Sequence, residues 1–331
     1  MKAVSIYTPQ WDKHDSYGIL ARRLAEGIEG CGLHVNRIGL DHENQVIIPT
    51  LGGLLLGYPT LYEKYGPFAQ LGKRVAVTMF ESTKLPEGWV ENLNRCAAVI
   101  VPSRFLVDVF RAEGVTVPIH VVALGINEAY LTVKREPRRD RPYTFLAIAD
   151  RGLRKGWDLA WHAFRSVFHD NPNYKLILKC REDGMMNLSS ADSNVEILRA
   201  DLDDEEMAAL YARCDCMVFP SRGEGFGLPP REFTATGGRA IVTNWGGTRD
   251  HIEFWGFGIG YKLVPAWLGH EKFYGLGEWA EPDLDDLINL MRVIGTKEDA
   301  VDNSELYRGN VEKLYSWTHF AEEVFRIYRE A

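Results

Sequence analysis

Two acids with seven residues between them, Glu224 and Glu232, flank a glycine- and proline-rich turn in FPSRGEGFGLPPREFTATGG, Phe219 to Gly238. An apolar strand-like run leads in, Gly223, Gly225 and Gly227 alternate through the turn, and Pro229 and Pro230 open a helical pattern. Glycine lets a ligand approach the backbone closely. Proline suits the first helical turn, whose leading N–H groups have no partner inside the helix. Those amides and the helix dipole favour an anion. A carboxylate aimed at that anion would repel it. Glu224 and Glu232 are therefore expected to face neutral hydroxyls beside it, for which a carboxylate is a strong acceptor. A diphosphate with a hydroxyl-rich ring on either side is a nucleotide sugar. Placed in the first turn of the helix, Glu232 could equally serve to complement the dipole, and at this level both readings stand.

A second charged cluster, RGLRKG at Arg151 to Gly156, follows another predicted strand. Three cations at a strand's carboxyl end suit a leaving diphosphate, which gains charge as its bond to the sugar breaks. A solvated surface cluster has the same composition. DLDD, Asp201 to Asp204, has the look of a D-x-D metal motif, but it directly precedes a helical pattern, and capping explains it better. No His or Cys pair stands at metal-ligand spacing, and no metal is expected. His162 and His169 read as helix-surface residues, and Cys214 and Cys216 as buried structural thiols.

These residues need strands and helices to hold them. Apolar, β-branched runs predict strands at Ala3–Thr8, His34–Ile38, Gln45–Pro49, Arg74–Met79, Ala97–Val101 and His120–Ala123. Helical periods fall at Tyr17–Glu29 and at Ser103–Glu113, the latter with a Ser cap. KREPRRDRP, Lys134 to Pro142, reads as a linker. Beyond it the alternation restarts, with strands at Thr144–Ala149, Lys175–Lys179, Val195–Leu198, Cys216–Phe219 and Ala240–Thr243. Helices are predicted at Gly156–Phe168, Asp203–Arg213, Pro229–Thr236 and Trp317–Arg329. The pattern is α/β, two Rossmann-like domains in series, each a parallel sheet with helices on both faces. Such sheets bind ligands beyond the carboxyl ends of their strands, and two facing domains would hold one ligand in the cleft between them.

Composition sets the outer limits. The chain has 331 residues and a net charge of −8. That charge gives no general polyanion footprint. No apolar run approaches the ~20 residues of a spanning helix, and the N-terminus is not a signal peptide. The five scattered cysteines fit a reducing compartment. A cytoplasmic protein is expected, with peripheral membrane contact left open.

The string EGFGLPPREFTATG resembles the E-x7-E motif of glycosyltransferase family 4, which has the GT-B fold. LNRCAAVIVPSRFLVDVFRAEGVTVPIHVVALGIN resembles the end of that family's first domain. DRGLRKGWDLAWHAF resembles the basic start of its second domain, and YSWTHFAEEVFRIYRE the closing helix that crosses back to the first. The resemblance implies an N-terminal acceptor domain at 1–138, a nucleotide-sugar donor domain at 139–310 and a returning helix at 311–331. It implies retaining transfer of a hexose, UDP-sugar favoured, to a hydroxyl acceptor, with no obligatory cofactor. Glu224 would contact the transferred sugar and Glu232 the ribose. Gly225 and the backbone of Phe226, Gly227 and Leu228 would line the sugar and phosphate. Arg151 and Lys155 match the family's basic pair on the diphosphate, at a spacing one residue shorter than usual, so that Arg154 could replace one of them. The family's first-domain Gly-Gly pair is absent, leaving Gly18 to approach the phosphate and Trp11, His14 and Tyr17 to face the acceptor. Trp11 could instead merely pack under its loop. Glu81 stands near where the family often has a histidine.

Among acceptors, a saccharide, a lipid-linked sugar or a small molecule is favoured, with a modified base in DNA as the rival. A catalytically inactive nucleotide-sugar binder is a rival of another class. A nicotinamide enzyme is disfavoured because the first strand lacks G-x-G-x-x-G. A phosphorylase-like enzyme would need a lysine carrying pyridoxal.

Overall fold

Strands covered by helices on both faces read as unbroken apolar runs. GLLL, AVIV and CMVF are such runs, and every residue in them is buried. They belong to a computed structural model that describes residues 3–11, 16–39, 52–60, 72–135, 141–149, 152–182, 192–266, 276–296 and 304–331. The chain divides into two compact units, Met1–Gly125 with Tyr315–Ala331, and Ile126–Leu314.

Unit 1 begins with β1 (Ala3–Tyr7), α1 (Ser16–Gly30), β2 (His34–Ile38), β3 (Gly53–Leu56) and β4 (Arg74–Val77). It continues with α2 (Trp89–Asn94), β5 (Ala98–Val101), α3 (Arg104–Ala112) and β6 (Ile119–Val121). Its six strands are parallel in the order β2-β1-β3-β4-β5-β6. The predicted strands appear here with shifts of one or two residues at their ends, except Gln45–Pro49, which lies outside the described residues. The central strand β3 was not predicted, because Gly52 and Gly53 break its apolar run. Gly53 is where the β1 strand passes closest, and a Cβ there would meet the Tyr7 ring. Ser103 precedes α3 with extended backbone but makes no side-chain cap hydrogen bond, so the predicted Ser cap is positional only.

Unit 2 opens with α4 (Glu128–Thr132), β7 (Tyr143–Ile148), a 3-10 turn at Gly152–Lys155, α5 (Trp157–Phe168), β8 (Tyr174–Cys180) and β9 (Val195–Arg199). Then come α6 (Asp204–Ala212), β10 (Cys216–Phe219), α7 (Leu228–Ala235), β11 (Arg239–Thr243) and β12 (Phe257–Ile259). An antiparallel pair, β13 (Tyr261–Pro265) and β14 (Glu278–Pro282), precedes α8 (Leu284–Thr296) and α9 (Ser304–Leu314). The parallel sheet runs β12-β11-β10-β7-β8-β9. Phe145, Phe164, Phe168, Leu176, Val218, Ile241 and Met291 fill the core between this sheet, α5 and α8. Strand order reverses between β7 and β10, and at such a switch point the carboxyl ends leave a crevice for a ligand.

The two units divide at Gly125 and Ile126, ahead of the charged segment, of which Lys134, Arg135, Arg141 and Pro142 are described. Arg135 donates to the carbonyls of Tyr211 and Cys214 and to Thr236 Oγ1, and Arg141 forms a bidentate pair with Asp215. Those bonds take up carbonyls at the carboxyl end of α6 and the Thr236 hydroxyl after α7, which ties Arg135 and Arg141 into unit 2. The last helix, α10 (Trp317–Glu330), belongs to unit 1, where it packs on α1 and buries Phe320, Ala321, Val324, Ile327 and Tyr328. That is one face of a helix at a 3.6-residue period.

Candidate functional site

The segments that follow β7 and β10 meet at the switch point of unit 2. The Arg154 carbonyl accepts the Arg222 amide (2.7 Å) and lies 3.1 Å from Ser221 Oγ. The turn from Pro220 to Gly227 is buried throughout. Gly227 is the N-cap of α7, with φ +88° and no side-chain cap bond. Pro229 and Pro230 have no N–H to offer. The amides of Gly227 and Leu228 make no hydrogen bond to a described residue, so two adjacent donors stand bare. Such a pair at a left-handed residue is an anion-binding concavity.

The site's frame is built from two arginines that sequence reasoning passed over. Arg231 is fully buried in α7 and stacks on Phe226 and Trp255. It donates to the carbonyls of Phe226, Gly227, Gly247 and Asp250. The turn is thereby joined to the loop after β11, and the Gly247 amide adds a bond to the Glu224 carbonyl (2.8 Å). Arg222 pairs with both Asp158 at the start of α5 and Glu281 on β14. Ser221 was missed too, although a serine three residues before an acid is readable in the sequence. The paired glycines of NWGGT, Asn244 to Thr248, were a second unused signal.

Gly227→Ala tests the turn. Alanine has to adopt a left-handed conformation, and its methyl would meet the Thr248 methyl. The variant is expected to lose about 1–3 kcal/mol of stability, read as a lower denaturation midpoint, and to lose anion binding in calorimetry. Retained binding would remove the turn from the site.

The two acids differ in environment. Glu224 is buried, and its Oε1 accepts from Lys155 Nζ (2.7 Å), Ser221 Oγ (2.9 Å) and Arg154 Nη1 (3.0 Å). Burial acts to raise its pKa, but the Lys155 and Arg154 cations and the hydrogen bonds outweigh it and hold the carboxyl below the usual value. Glu232 has neither a hydrogen bond nor an ion pair from its carboxyl to a described residue. Burial pushes it up to about 8; the Asp204 carboxylate adds to the rise, and Lys155 offsets part of it. Asp204 itself is held by Tyr130 Oη (3.0 Å) and Asn127 Nδ2. At neutral pH the free site thus holds one ionised acid and one protonated acid, with Lys155 acting on both. Glu232 lies in the second turn of α7, past the first turn, so complementing the helix dipole does not explain it.

Asp203 caps α6 and forms a capping box with Glu206, which accounts for DLDD. Cys214 and Cys216 are buried with no disulfide, as expected of structural thiols. Among the described residues no three His, Cys, Asp or Glu side chains converge as metal ligands. Arg151 and His14 lie outside the described residues.

The remaining candidates belong to unit 1. Gly18 sits in the first turn of α1 and is buried. Tyr17 is buried, with its hydroxyl engaged within unit 1. The hydroxyl donates to the Met79 carbonyl, accepts the Met79 amide and lies 3.2 Å from Thr78 Oγ1, fastening α1 to the end of β4. Trp11 packs beside Gly39 with the Arg37 guanidinium over its ring, and its carbonyl accepts from Arg22. Glu81 is half-buried beyond β4, close enough to act on Tyr17 electrostatically.

Residues 132–262, which carry the switch point, match the family model for glycosyl transferases group 1. A protein of Sulfolobus islandicus filamentous virus (isolate Iceland/Hveragerdi), provisionally named glycosyltransferase 45, is 25% identical over 245 residues, 69% of this chain and 66% of that protein. The MMP alpha-(1->4)-mannosyltransferase of Mycolicibacterium hassiacum is 26% identical over 222 residues, 64% of this chain and 48% of that protein. The chain therefore spans less than two thirds of the length of these curated relatives. The solved structure of Anabaena HepE in complex with UDP and glucose is similar over 100% of both chains, with a TM-score of 0.71 at 12% identity. That likeness shows the fold, which is GT-B. No helix among the described residues is long and apolar enough to cross a membrane.

Proposed function

We propose that this protein is a glycosyltransferase that moves a hexose from a nucleoside diphosphate sugar, UDP-sugar favoured, to a hydroxyl acceptor with retained configuration. The observation that carries the reading is the arrangement at the switch point. The bare amides of Gly227 and Leu228 lie in a turn flanked by Glu224 and Glu232, and Lys155 acts on both acids. The group 1 match over the same segment supports it, as do the mannosyltransferase relative and the neighbour bound to UDP and glucose.

In this reading the diphosphate rests on the amides of Gly227 and Leu228, with Gly225 and Phe226 lining the sugar side. Glu224 Oε2, which has no donor among the described residues, accepts from the hydroxyls of the transferred sugar. Glu232 accepts from the ribose hydroxyls. The bond from the anomeric carbon to the diphosphate oxygen breaks, and the acceptor oxygen attacks the same face. The departing oxygen takes the acceptor's proton, so no side chain need act as base. Lys155, with Arg151, stabilises the charge that develops on the diphosphate, where preorganised cations act most strongly. The acceptor is a saccharide, a lipid-linked sugar or a small molecule, and five unpaired thiols suit a reducing cytoplasm.

A thermal-shift panel of UDP-, GDP- and ADP-sugars tests the reading. A donor at 100 times its Kd is expected to stabilise the fold by about 2.7 kcal/mol. Slow donor hydrolysis should follow, and the anomer first released, seen by NMR, reports on retention. A panel with no shift would sink the assignment. A shift without turnover would leave a sugar-nucleotide binder.

A further inference from the structure

We propose that Arg154 is a positioning residue, which keeps Glu224 and the glycine turn in place when Lys155 carries its charge to the diphosphate. The inference rests on the transferase reading above. By spacing alone, Arg154 could have replaced a member of the phosphate-binding pair. Its contacts give it different work.

Three donors meet on one oxygen of Glu224: Lys155 Nζ, Ser221 Oγ and Arg154 Nη1. A carboxylate has about four acceptor sites over its two oxygens. Three donors on Oε1 exceed that atom's share, so one can leave without orphaning it. Arg154 is tied to the turn at both ends. Its Nη1 also donates to the Gly223 carbonyl (2.5 Å), and its own carbonyl accepts the Arg222 amide. The Arg154 side chain is 6% exposed, against 12% for Lys155. A planar guanidinium lodged between two acceptors is fixed in orientation, whereas an ammonium on a four-carbon stem rotates its donors freely. The Lys155 ammonium lies 5.1 Å from the centre of the Phe219 ring, which ends β10. It can therefore exchange Glu224 for phosphate oxygens while Arg154 and Ser221 retain the acid. Holding both the Gly223 carbonyl and the Glu224 carboxylate also fixes the turn that presents Gly227.

UDP titration calorimetry and UDP-sugar hydrolysis on the full chain, for the parent, Arg154→Met, Arg154→Lys and Lys155→Met, test this division of labour. Lys155→Met is expected to weaken UDP binding about tenfold or more, the loss of a hydrogen bond to a charged group. Arg154→Met is expected to weaken UDP binding less than Lys155→Met does, because Lys155 then neutralises Glu224 without its help, to lower kcat by about tenfold, and to narrow the difference in affinity between UDP-sugar and UDP. Arg154→Lys should restore part of kcat, because an ammonium can still bridge Gly223 and Glu224. Should Arg154→Met fail to fold, Arg154→Lys decides alone, by a fall in kcat at constant UDP affinity. UDP binding weakened by Arg154→Met as much as by Lys155→Met, weaker UDP binding in Arg154→Lys, or an unchanged kcat overturns the inference. A parent that binds no nucleoside diphosphate removes the functional reading, and this inference with it.

Discussion

Glu224→Gln is expected to bind free UDP about tenfold more tightly than the parent and to transfer sugar roughly 10- to 150-fold more slowly. The two effects have opposite signs because Glu224 has two tasks. In the free protein its charge is shared by Lys155 and Arg154. A diphosphate that recruits Lys155 must compete with that pairing. Glutamine keeps the shape and an acceptor oxygen for Ser221 and Arg154 but gives up the charge, so Lys155 is released at less cost. The tightening corresponds to about 1.5 kcal/mol, the low end for a hydrogen bond to a charged group. The sugar hydroxyls meanwhile lose an ionised acceptor, a loss of about 1.5–3 kcal/mol in the transition state. Calorimetry with UDP and initial rates with the donor separate the two. Weaker UDP binding would mean that Glu224 organises the cations and does not compete for them. An unchanged rate would take the acid out of the reaction.

Donor affinity is expected to rise about tenfold per pH unit below pH 8 and to level off above it. Glu232 is the source. Burial, reinforced by Asp204, pushes its carboxyl up to about 8, and the groups around it are Tyr130 on α4, Asp204 and Tyr211 on α6, and Lys155 beyond β7. Only the ionised form is a full acceptor for two ribose hydroxyls, so uptake at neutral pH releases a proton. The stability of the free protein runs the other way. A carboxyl raised in the folded state binds more protons there than in the unfolded chain between about pH 4.5 and pH 8. Its contribution is complete below the unfolded value and is lost as pH rises through the folded one. The denaturation midpoint of the free protein should fall across that window, and bound donor should offset the fall. Glu232→Gln should flatten both profiles and lower donor affinity. A parent whose affinity does not change between pH 6 and pH 9 would show that Glu232 does not meet the ribose in its ionised form.

Several features were legible before any tertiary structure. Apolar, β-branched runs and 3.6-residue periods marked ten strands and six helices of the described chain, because helix-covered parallel strands and amphipathic helices leave those patterns in composition. Other elements were hidden for identifiable reasons. Strand β3 carries a glycine where the Tyr7 ring passes, and glycine reads as a break. The pair β13 and β14 is only partly buried, so alternation is weak there. Helix α8 was readable from Leu287, Met291 and Ile294, and those positions were not used.

The sequence by itself determined the α/β class, the two-unit plan and the strand–turn–helix that carries Glu224 and Glu232, because each follows from local periodicity and from the fixed needs of glycine and proline. Only the tertiary structure decided the unit boundary at Gly125, the burial of the Tyr17 hydroxyl against β4 and the convergence of Lys155, Arg154 and Ser221 on one oxygen. It alone set the two acids apart. Burial raises both carboxyls, and their ionisation differs because long-range packing put two cations beside Glu224 to outweigh it and a second carboxylate beside Glu232 to add to it.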